Sequence, residues 1–169
     1  MTFKIELLAR NHNRQDFDCG NVDLNRYLCN TAYQHIKKGI SRTFVLTDDA
    51  TPDQILGFFT LASCEIFVES LPDKYARKYP SRAPAAKLAR LAVSRHRQKK
   101  GLGTYMMTNA MKRVLDVSKH LGIIGFFVDA KDDKAAGFYR QFGYIPLKDN
   151  PLQLFLPLAT IQQVFSDET

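Results

Sequence analysis

The sequence predicts an α/β (α+β) protein in which a mixed central β-sheet is flanked by helices on both faces. Runs rich in β-branched and aromatic residues alternate with stretches whose apolar residues recur at helical spacing. The composition is that of a globular protein, with 45% hydrophobic and 24% charged residues. Because the 169 residues contain no linker and no internal repeat, we expect residues 1–169 to form a single domain.

The first half of the chain predicts a strand, a helix and a hairpin. Phe3–Leu8 alternates between apolar and polar residues, as a strand does. Asn21–Lys38 has apolar residues at helical spacing and is followed by Gly39, a frequent helix terminator. Arg42–Thr47 and Ile55–Val68 are β-rich runs separated by turn-forming residues, which predicts a hairpin.

The second half predicts alternating strands and helices. Leu71–Pro84 contains three prolines and many charges, so we expect a loop or a broken helix there. After it we expect a central strand at Lys87–Val93 and a long helix at Gly101–His120, which begins with a glycine. A buried strand (Ile123–Ala130), a short helix (Lys134–Phe142) and a closing pair of strands (Tyr144–Leu147 and Leu152–Leu156) are expected to follow.

The positive charge of the chain is concentrated in one segment. The net charge is +7, and ten of the 24 basic residues lie between Lys74 and Lys100, where no acidic residue occurs. Acidic residues outnumber basic ones in the rest of the chain. Such a patch indicates a polyanionic ligand, either a phosphorylated cofactor, a nucleic acid or both, with a merely solvated basic loop as the alternative.

Cysteines, histidines and apolar runs predict no metal, disulfide or membrane segment. Cys19, Cys29 and Cys64 are odd in number and widely spaced, as expected for reduced thiols. The four histidines lack the spacing of metal ligands, so we expect no metal. No stretch approaches the ~18 apolar residues of a membrane span, and the first residues lack a signal-peptide core. We therefore expect no membrane association and a cytoplasmic location.

The junction between the strand Lys87–Val93 and the following helix has the features of a phosphate-binding loop. Gly101 and Gly103 lack a Cβ atom, so the backbone can approach a ligand, and the first N–H groups of a helix are unpaired donors. The helix dipole and three basic side chains add positive charge: Arg97, Lys99 and Lys100. The junction is not a P-loop, because no Gly-Lys-Ser/Thr follows, and a dinucleotide fingerprint would need a glycine where Met106 stands.

The same junction resembles the signature of a known family. Gln98-Lys99-Lys100-Gly101-Leu102-Gly103 resembles the Q/R-x-x-G-x-G/A loop with which GNAT N-acetyltransferases bind the pyrophosphate of acetyl-CoA. The preceding LARLAVS is similar to their fourth strand, which pairs with the pantetheine arm. Ala135–Tyr139 with Phe142–Tyr144 resembles their A-x-x-F-Y-x-x-x-G-F element. The resemblance covers nearly the whole chain and implies the GNAT fold and an acetyl-CoA-dependent N-acetyltransferase.

The resemblance also implies which residues bind acetyl-CoA: Leu91, Ala92, Val93, Gln98, Lys99, Lys100, Gly101, Leu102, Gly103, Thr104, Asp132 and Phe138. Two positions depart from the family pattern. Asp132 stands where relatives often carry Asn, and Lys99-Lys100 replaces the first glycine of their frequent Q-G-x-G-x-G loop. The second departure adds positive charge near the expected phosphates.

Further segments resemble the GNAT toxins of bacterial toxin–antitoxin pairs. Phe17-Asp18-Cys19-Gly20, ahead of Leu24, is similar to their F-x-C/S-G-x-x-x-L start, and Gly57–Ala62 to their G-Y-Y-T-L strand. The resemblance implies acetylation of the α-amine of aminoacyl-tRNA, a block of translation, a ribbon-helix-helix antitoxin as partner, and a homodimer. Because tRNA is held chiefly through its phosphates, we expect six basic residues to contact it: Lys74, Arg77, Lys78, Arg82, Arg90 and Arg95.

Tyr139 is the expected general acid, which would deliver a proton to the departing CoA sulfur. A backbone N–H near Val93 would polarise the acetyl carbonyl. The strand Lys87–Val93 contains no Asp, Glu or His to deprotonate a lysine amine, whose pKa is about 10.4, whereas the pKa of an α-amine is about 7.7–8.0. An α-amine therefore suits this site better, and we expect His96 to lie on the surface, with a proton relay as its alternative role.

Three other functions stay open at this point. A GNAT enzyme for a small cationic amine would call for an acidic acceptor site, which the basic segment opposes. A GNAT enzyme for protein N-termini would share the low-pKa amine. A nucleic-acid-binding module without catalysis would leave Gln98–Gly103 and Tyr139 without a role.

Overall fold

The computed structural model describes residues 2–166. In this range strands and helices follow one another as β1 (Phe3–Leu7), α1 (Val22–Asn30), α2 (Ala32–Lys37), β2 (Arg42–Asp48), β3 (Gly57–Phe67), α3 (Asp73–Ala76), β4 (Arg82–Val93), α4 (Leu102–Ser118), β5 (Gly125–Asp129), α5 (Asp133–Arg140), β6 (Ile145–Leu147), β7 (Asn150–Pro157) and α6 (Leu158–Ser166). Short 3₁₀ turns cover Val68–Ser70 and Arg95–Arg97.

The strands form one mixed sheet in the order β1-β2-β3-β4-β5-β7-β6. β4 and β5 pair in parallel, with Leu88 opposite Val128. The pairs β1–β2, β2–β3, β5–β7 and β6–β7 are antiparallel. The predicted mixed sheet is therefore confirmed.

The chain divides into two compact units. The first unit contains the residues up to Ala62 together with Ala89–Ala110, and the second contains Ser63–Leu88 together with the chain from Met111 onward. The strands β3 and β4 and the helix α4 each run from one unit into the other along the chain. The expectation of a single domain over residues 1–169 stays a prediction.

In the first unit, helices cover both faces of the β1–β2–β3 strands. Val45 and Phe58 lie opposite each other and pack in one core cluster with Tyr27 and Leu28 of α1. On the other face, the ring of Phe3 lies 6.0 Å from the ring of Tyr105 in α4. Cross-strand partners point to the same face of a sheet, so α1 and α4 lie on opposite faces.

The second unit has its own core. The first part of β4 contributes Ala83 and Ala85, which pack with Phe127 of β5 and Phe155 of β7. β5 and β7 approach so closely at Gly125 that a Cβ atom there would stand 2.3 Å from the carbonyl oxygen of Leu156. Glycine at this position is therefore required by the spacing of the two strands.

The structure departs from the predicted elements at three places. The expected helix Asn21–Lys38 is two helices, because Thr31 leaves the helical region with φ −121°. β4 begins at Arg82 and not at Lys87, since Pro84 needs no N–H in the ladder and its carbonyl accepts a hydrogen bond from Ile124. The helix α6 was not predicted. None of the helices within residues 2–166 has both the length and the apolar character that crossing a bilayer requires.

Candidate active site

The loop between β4 and α4 belongs to the first unit and has two left-handed residues. Lys99 has φ 63° and Gly101 has φ 80°. A Cβ atom on Gly101 would meet nothing within 4 Å, so glycine is favoured there by the backbone angle and not by crowding. Left-handed residues in a loop turn successive N–H groups inward, as in the concave nests that bind anions.

The N-terminus of α4 continues this loop. The Tyr105 N–H donates to the Gly101 carbonyl at 3.0 Å, which is the first hydrogen bond of the helix. The N–H groups of Leu102, Gly103 and Thr104 consequently have no acceptor within the helix, and they lie at its positive end. With the exposed side chains of Lys99 and Lys100 beside them, these donors fit a phosphate group.

Gln98, at the start of the loop, makes its side-chain contacts with the protein itself. Its Nε2 donates to the carbonyl oxygens of Cys19 and Val93, each at 3.0 Å. Arg95 also contacts the segment before α1: its N–H donates to the Asp18 carbonyl at 2.9 Å, and its Nη1 lies 3.3 Å from Asp18 Oδ2. From the sequence, Gln98 is expected to bind acetyl-CoA and Arg95 to bind RNA, whereas Asp18 has no expected role.

The last part of β4 presents Arg90 beside α1. The guanidinium carbon of Arg90 lies 4.5 Å from the ring centroid of Tyr27, and Nη1 donates to the Ala89 carbonyl at 2.8 Å. Tyr27 is buried and stacks on Phe58, with 6.3 Å between ring centroids. Arg90 is exposed, and no carboxylate of residues 2–166 lies within ion-pair distance of it. The Tyr27 ring thus positions the Arg90 guanidinium, whose other N–H groups can donate hydrogen bonds to a ligand.

Three residues assigned to acetyl-CoA, Leu91–Val93, complete this strand. Ala92 is buried in the core of the first unit, whereas Leu91 and Val93 are half-buried. A Cβ atom on Gly57 would stand 2.9 Å from the Ala92 carbonyl oxygen and from Met106 in α4. The close approach of β3 and α4 at this point therefore depends on a glycine.

Tyr139 lies in the second unit, near the end of α5, and is 9% exposed. Its ring meets Phe138 and Tyr144 edge-on, with centroid distances of 5.3 Å and 5.7 Å. Burial raises the pKa of the Tyr139 hydroxyl to about 12. The hydroxyl therefore keeps its proton throughout the neutral pH range.

Asp132 and Phe138 frame the same helix. The Asp132 side chain accepts a hydrogen bond from the Ala135 N–H at 2.8 Å and so caps the N-terminus of α5. Phe138 is half-buried and also meets Phe142, at a centroid distance of 5.2 Å. The local contacts of both residues are structural, and their contact with acetyl-CoA stays a prediction.

Four of the basic residues expected to bind RNA lie in the second unit, three of them in or just after α3 and one at the start of β4. The ammonium groups of Lys74 and Lys78 lie 5.5 Å and 5.8 Å from the ring centroid of Tyr75. Arg82 lies over the ring of Phe67 at 5.0 Å and pairs with Glu65 at 3.5 Å. These four side chains, Lys74, Arg77, Lys78 and Arg82, are exposed, whereas Arg90 and Arg95 belong to the first unit.

An open cleft of about 450 Å³ lies beside α1 in the first unit. Phe17 and Asp18 line it from the preceding segment, and Cys29 lines it from the helix. Within residues 2–166 no group of three or more His, Cys, Asp or Glu side chains is placed to hold a metal ion.

Comparison with known proteins gives the family. The Acetyltransferase (GNAT) domain family matches residues 39–146. This chain is a GNAT acetyltransferase. It is 30% identical over 151 residues to the tRNA-acetylating toxin of Mycobacterium tuberculosis, and this match covers 89% of each of the two chains. It is 28% identical over 163 residues to the probable toxin TacT of Sinorhizobium fredii, which covers 90% of this chain and 89% of TacT.

Solved structures of GNAT toxins share the fold over almost the whole chain. AtaT complexed with acetyl-methionyl-tRNAfMet has a TM-score of 0.90 and 34% identity, and the match covers 98% of this chain and 100% of AtaT. AtaTR bound with AcCoA has a TM-score of 0.85 and 34% identity, and the match covers 97% of this chain and 98% of that chain. A mutant of the AtaT toxin bound to the C-terminus of the antitoxin AtaR has a TM-score of 0.82 and 32% identity, and the match covers 97% of this chain and 98% of that chain. The GNAT fold expected from the sequence is thereby confirmed.

The contact that the sequence analysis missed is the one between the loop of this acetyltransferase and the residues before α1. Phe17-Asp18-Cys19-Gly20 was noted as a family-like run, which was the available signal. Its partners, Arg95 and Gln98, lie more than 70 positions away along the chain. No local pattern pairs residues at that separation.

Proposed function

We propose that this GNAT acetyltransferase transfers the acetyl group of acetyl-CoA to the α-amine of an aminoacyl-tRNA and acts as the toxin of a toxin–antitoxin pair. The observation that carries the proposal is the match to AtaT complexed with acetyl-methionyl-tRNAfMet, at a TM-score of 0.90 over 98% of this chain. The geometry of the two units supports the cofactor, the acceptor and the proton transfer separately.

Acetyl-CoA is supported by the β4–α4 loop. The donors of Leu102, Gly103 and Thr104 and the charges of Lys99 and Lys100 fit its pyrophosphate. The backbone of Leu91–Val93 is the expected partner of the pantetheine arm. AtaTR, a structural neighbour, is bound with AcCoA.

A tRNA acceptor is supported by the arginines and lysines that the structure leaves accessible. Arg90 is held on the Tyr27 ring without a carboxylate partner within residues 2–166. Arg82 and Arg95 have ion-pair partners, but both pairs are exposed, and exposed pairs contribute only about 0–1 kcal/mol. A tRNA phosphate can therefore replace Glu65 or Asp18 at little cost.

Tyr139 supports the chemical step. As the tetrahedral intermediate collapses, the C–S bond breaks and the thiolate needs a proton or a hydrogen bond, while the substrate nitrogen releases its proton to solvent as the amide forms. A hydroxyl whose burial raises its pKa to about 12 is always available as this donor. A backbone N–H near Val93 would polarise the acetyl carbonyl, and an α-amine that is already largely neutral needs no strong base.

The remaining features of the proposal concern the protein in the cell. We propose a single catalytic domain over residues 1–169 and a homodimer, which would lengthen the basic surface along an acceptor stem. We further propose a cytoplasmic location, a block of translation and neutralisation by a ribbon-helix-helix antitoxin. A mutant of the AtaT toxin is solved bound to the C-terminus of the antitoxin AtaR, which supports an antitoxin as partner.

The deciding experiment supplies labelled acetyl-CoA with three acceptors: aminoacylated tRNA, the same tRNA without its amino acid, and bulk ribosomal protein. We expect label on the aminoacylated tRNA only. Label on protein would favour a protein N-terminus as substrate, and label on none of the three would leave a small amine; either result would overturn the aminoacyl-tRNA proposal.

Tyr139→Phe should reduce the rate by about 10²–10⁴-fold, because it removes the hydroxyl and keeps the ring contacts. Tyr144→Phe is the matched control. The Tyr144 hydroxyl is buried and has no hydrogen-bond partner within residues 2–166, so its removal should leave the rate unchanged and raise stability. Equal losses in both variants would mean that ring packing, and not the Tyr139 hydroxyl, limits the rate.

A further inference from the structure

The segment Phe17–Gly20, which we call the 17–20 turn, has no part in the transfer chemistry described above, yet it is bonded to the β4–α4 loop. Gln98 Nε2 donates to the Cys19 carbonyl at 3.0 Å, and the Arg95 N–H donates to the Asp18 carbonyl at 2.9 Å. Both acceptors are backbone carbonyls. The contact therefore depends on the shape of the turn more than on its side chains.

The 17–20 turn is itself held in one shape by side-chain hydrogen bonds. Asp18 Oδ1 accepts from the Gly20 N–H at 2.8 Å and from Asn25 Nδ2 at 3.0 Å. Asn25 Oδ1 in turn accepts from the Cys19 N–H at 2.9 Å. These contacts lower the pKa of Asp18, chiefly through the Gly20 N–H and then through Asn25. Gly20, with φ 87°, supplies the left-handed residue that closes the turn.

Gln98 also fixes the end of β4. Its Nε2 donates to the Val93 carbonyl at 3.0 Å, and the next N–H in the chain, that of Ser94, donates to the Leu56 carbonyl at 2.8 Å. Both the carbonyl and the N–H of the peptide group between Val93 and Ser94 are therefore hydrogen-bonded. One side-chain nitrogen joins the end of the strand to the 17–20 turn, and each of its two protons has a protein acceptor.

We propose that Gln98 and Asp18 are positioning residues, which hold the β4–α4 loop in the shape that receives acetyl-CoA. Gln98 acts through the two carbonyls and Asp18 acts by shaping the turn that supplies one of them. This inference rests on the proposed function, because it concerns the affinity for acetyl-CoA. It differs from the expectation that Gln98 is one of the residues that bind acetyl-CoA.

The test measures the dissociation constant of acetyl-CoA for four proteins: the wild type, Gln98→Met, Asp18→Ala and the double variant. Gln98→Met has a similar length and no donors, so it loses both hydrogen bonds to the carbonyls. Asp18→Ala loses the side-chain oxygen that accepts from the Gly20 N–H and from Asn25. We expect each single variant to bind acetyl-CoA about tenfold or more weakly, given two lost hydrogen bonds. Because both residues support the same contact between the 17–20 turn and the β4–α4 loop, their effects should not add. The dissociation constant of the double variant should be within about threefold of that of the more weakly binding single variant.

Two controls separate positioning from general damage and from direct binding. Asp18→Asn keeps an oxygen for Gly20 and Asn25 and loses only an exposed ion pair, so it should change the affinity by less than about threefold. Every variant should stay folded, with a melting temperature lowered by only a few degrees, and Gln98→Met should keep the wild-type affinity for tRNA. If the losses of the single variants multiply in the double variant, Gln98 acts independently of the turn and the inference is wrong.

A failure of the inference differs from a failure of the proposed function. A wild-type protein that does not bind acetyl-CoA would contradict the proposed function. A wild-type protein that binds acetyl-CoA, with Gln98→Met binding it equally well, would contradict the inference alone. Should Gln98→Met unfold, Gln98→Ala provides the same test, since it also removes both donors and adds no charge near the phosphates.

Discussion

Lys99 occupies a backbone conformation that suits glycine, and its substitution should separate the effects of charge and strain. Its φ is 63°, in the left-handed region, which costs an L-residue about 1–2 kcal/mol. Glycine avoids that cost but loses about 0.5–1 kcal/mol more conformational freedom on folding than alanine does. Lys99→Gly should therefore be slightly more stable than the wild type, by about 0.5–1 kcal/mol. Lys99→Ala keeps the strained angle and should be less stable than Lys99→Gly by about 1 kcal/mol.

The affinity for acetyl-CoA should follow the charge and not the backbone. A unit charge near a phosphate in a water-like medium contributes about 1 kcal/mol at 4 Å, or about fivefold in affinity. Lys99→Gly and Lys99→Ala should therefore both bind acetyl-CoA about fivefold more weakly than the wild type. Lys100→Ala is the matched control, because Lys100 is also exposed but is not left-handed: it should lose similar affinity without gaining stability. Urea unfolding and calorimetry measure the two quantities, and equal stabilities of Lys99→Gly and Lys99→Ala would refute the strain argument.

Three further predictions concern other parts of the molecule. The tyrosinate absorbance that distinguishes the wild type from Tyr139→Phe should develop only above about pH 11, because burial raises the pKa of Tyr139 to about 12; a difference centred near pH 10 would contradict its burial. Arg90→Met should weaken tRNA binding about tenfold and lower the slope of log affinity against log salt by about 0.7–0.9, whereas an unchanged slope would mean that Arg90 contacts no phosphate. Gly125→Ala should destabilise the fold by 2 kcal/mol or more in urea unfolding, because its Cβ would stand 2.3 Å from the Leu156 carbonyl oxygen; a smaller loss would mean that β5 and β7 can separate.

Much of the fold could be predicted because its strands and helices carry local patterns. The buried strand β5 and the long helix α4 were found from their apolar spacing and from the glycine that precedes α4. The break between α1 and α2 was missed because one residue, Thr31, leaves the helix while the apolar spacing continues on both sides. The start of β4 was missed because proline usually interrupts a strand, and Pro84 lies where only its carbonyl is used.

The residues of the candidate site could be proposed from the sequence, but their contacts could not. Tyr139 and the β4–α4 loop were proposed because local runs of sequence carry them, and their roles stay predictions. The double hydrogen bond of Gln98 joins Val93, five positions away, to Cys19, 79 positions away. The ring that holds Arg90 comes from a helix more than 60 positions earlier in the chain. Such contacts are set by the packing of α1 on the sheet, and spacing along the chain does not reveal them.

In the proposed mechanism, the burial of Tyr139 restricts which amines the enzyme can acetylate. A hydroxyl with a pKa of about 12 is a proton donor at neutral pH but cannot serve as a base there, because it is almost never ionised. The β4 strand, Arg82–Val93, contains no Asp, Glu or His. Its side chains pair with two carboxylates from other elements, Arg82 with Glu65 at 3.5 Å and Lys87 with Asp129 at 3.3 Å, so both of these carboxylates lie beside a cation. A lysine amine, with a pKa of about 10.4, would have to lose its proton before attack, whereas an α-amine with a pKa of about 7.7–8.0, lowered further by an ester, is already partly neutral. The donor built into α5 and the absence of a base on β4 therefore both favour the amine of an aminoacyl ester over that of a lysine side chain.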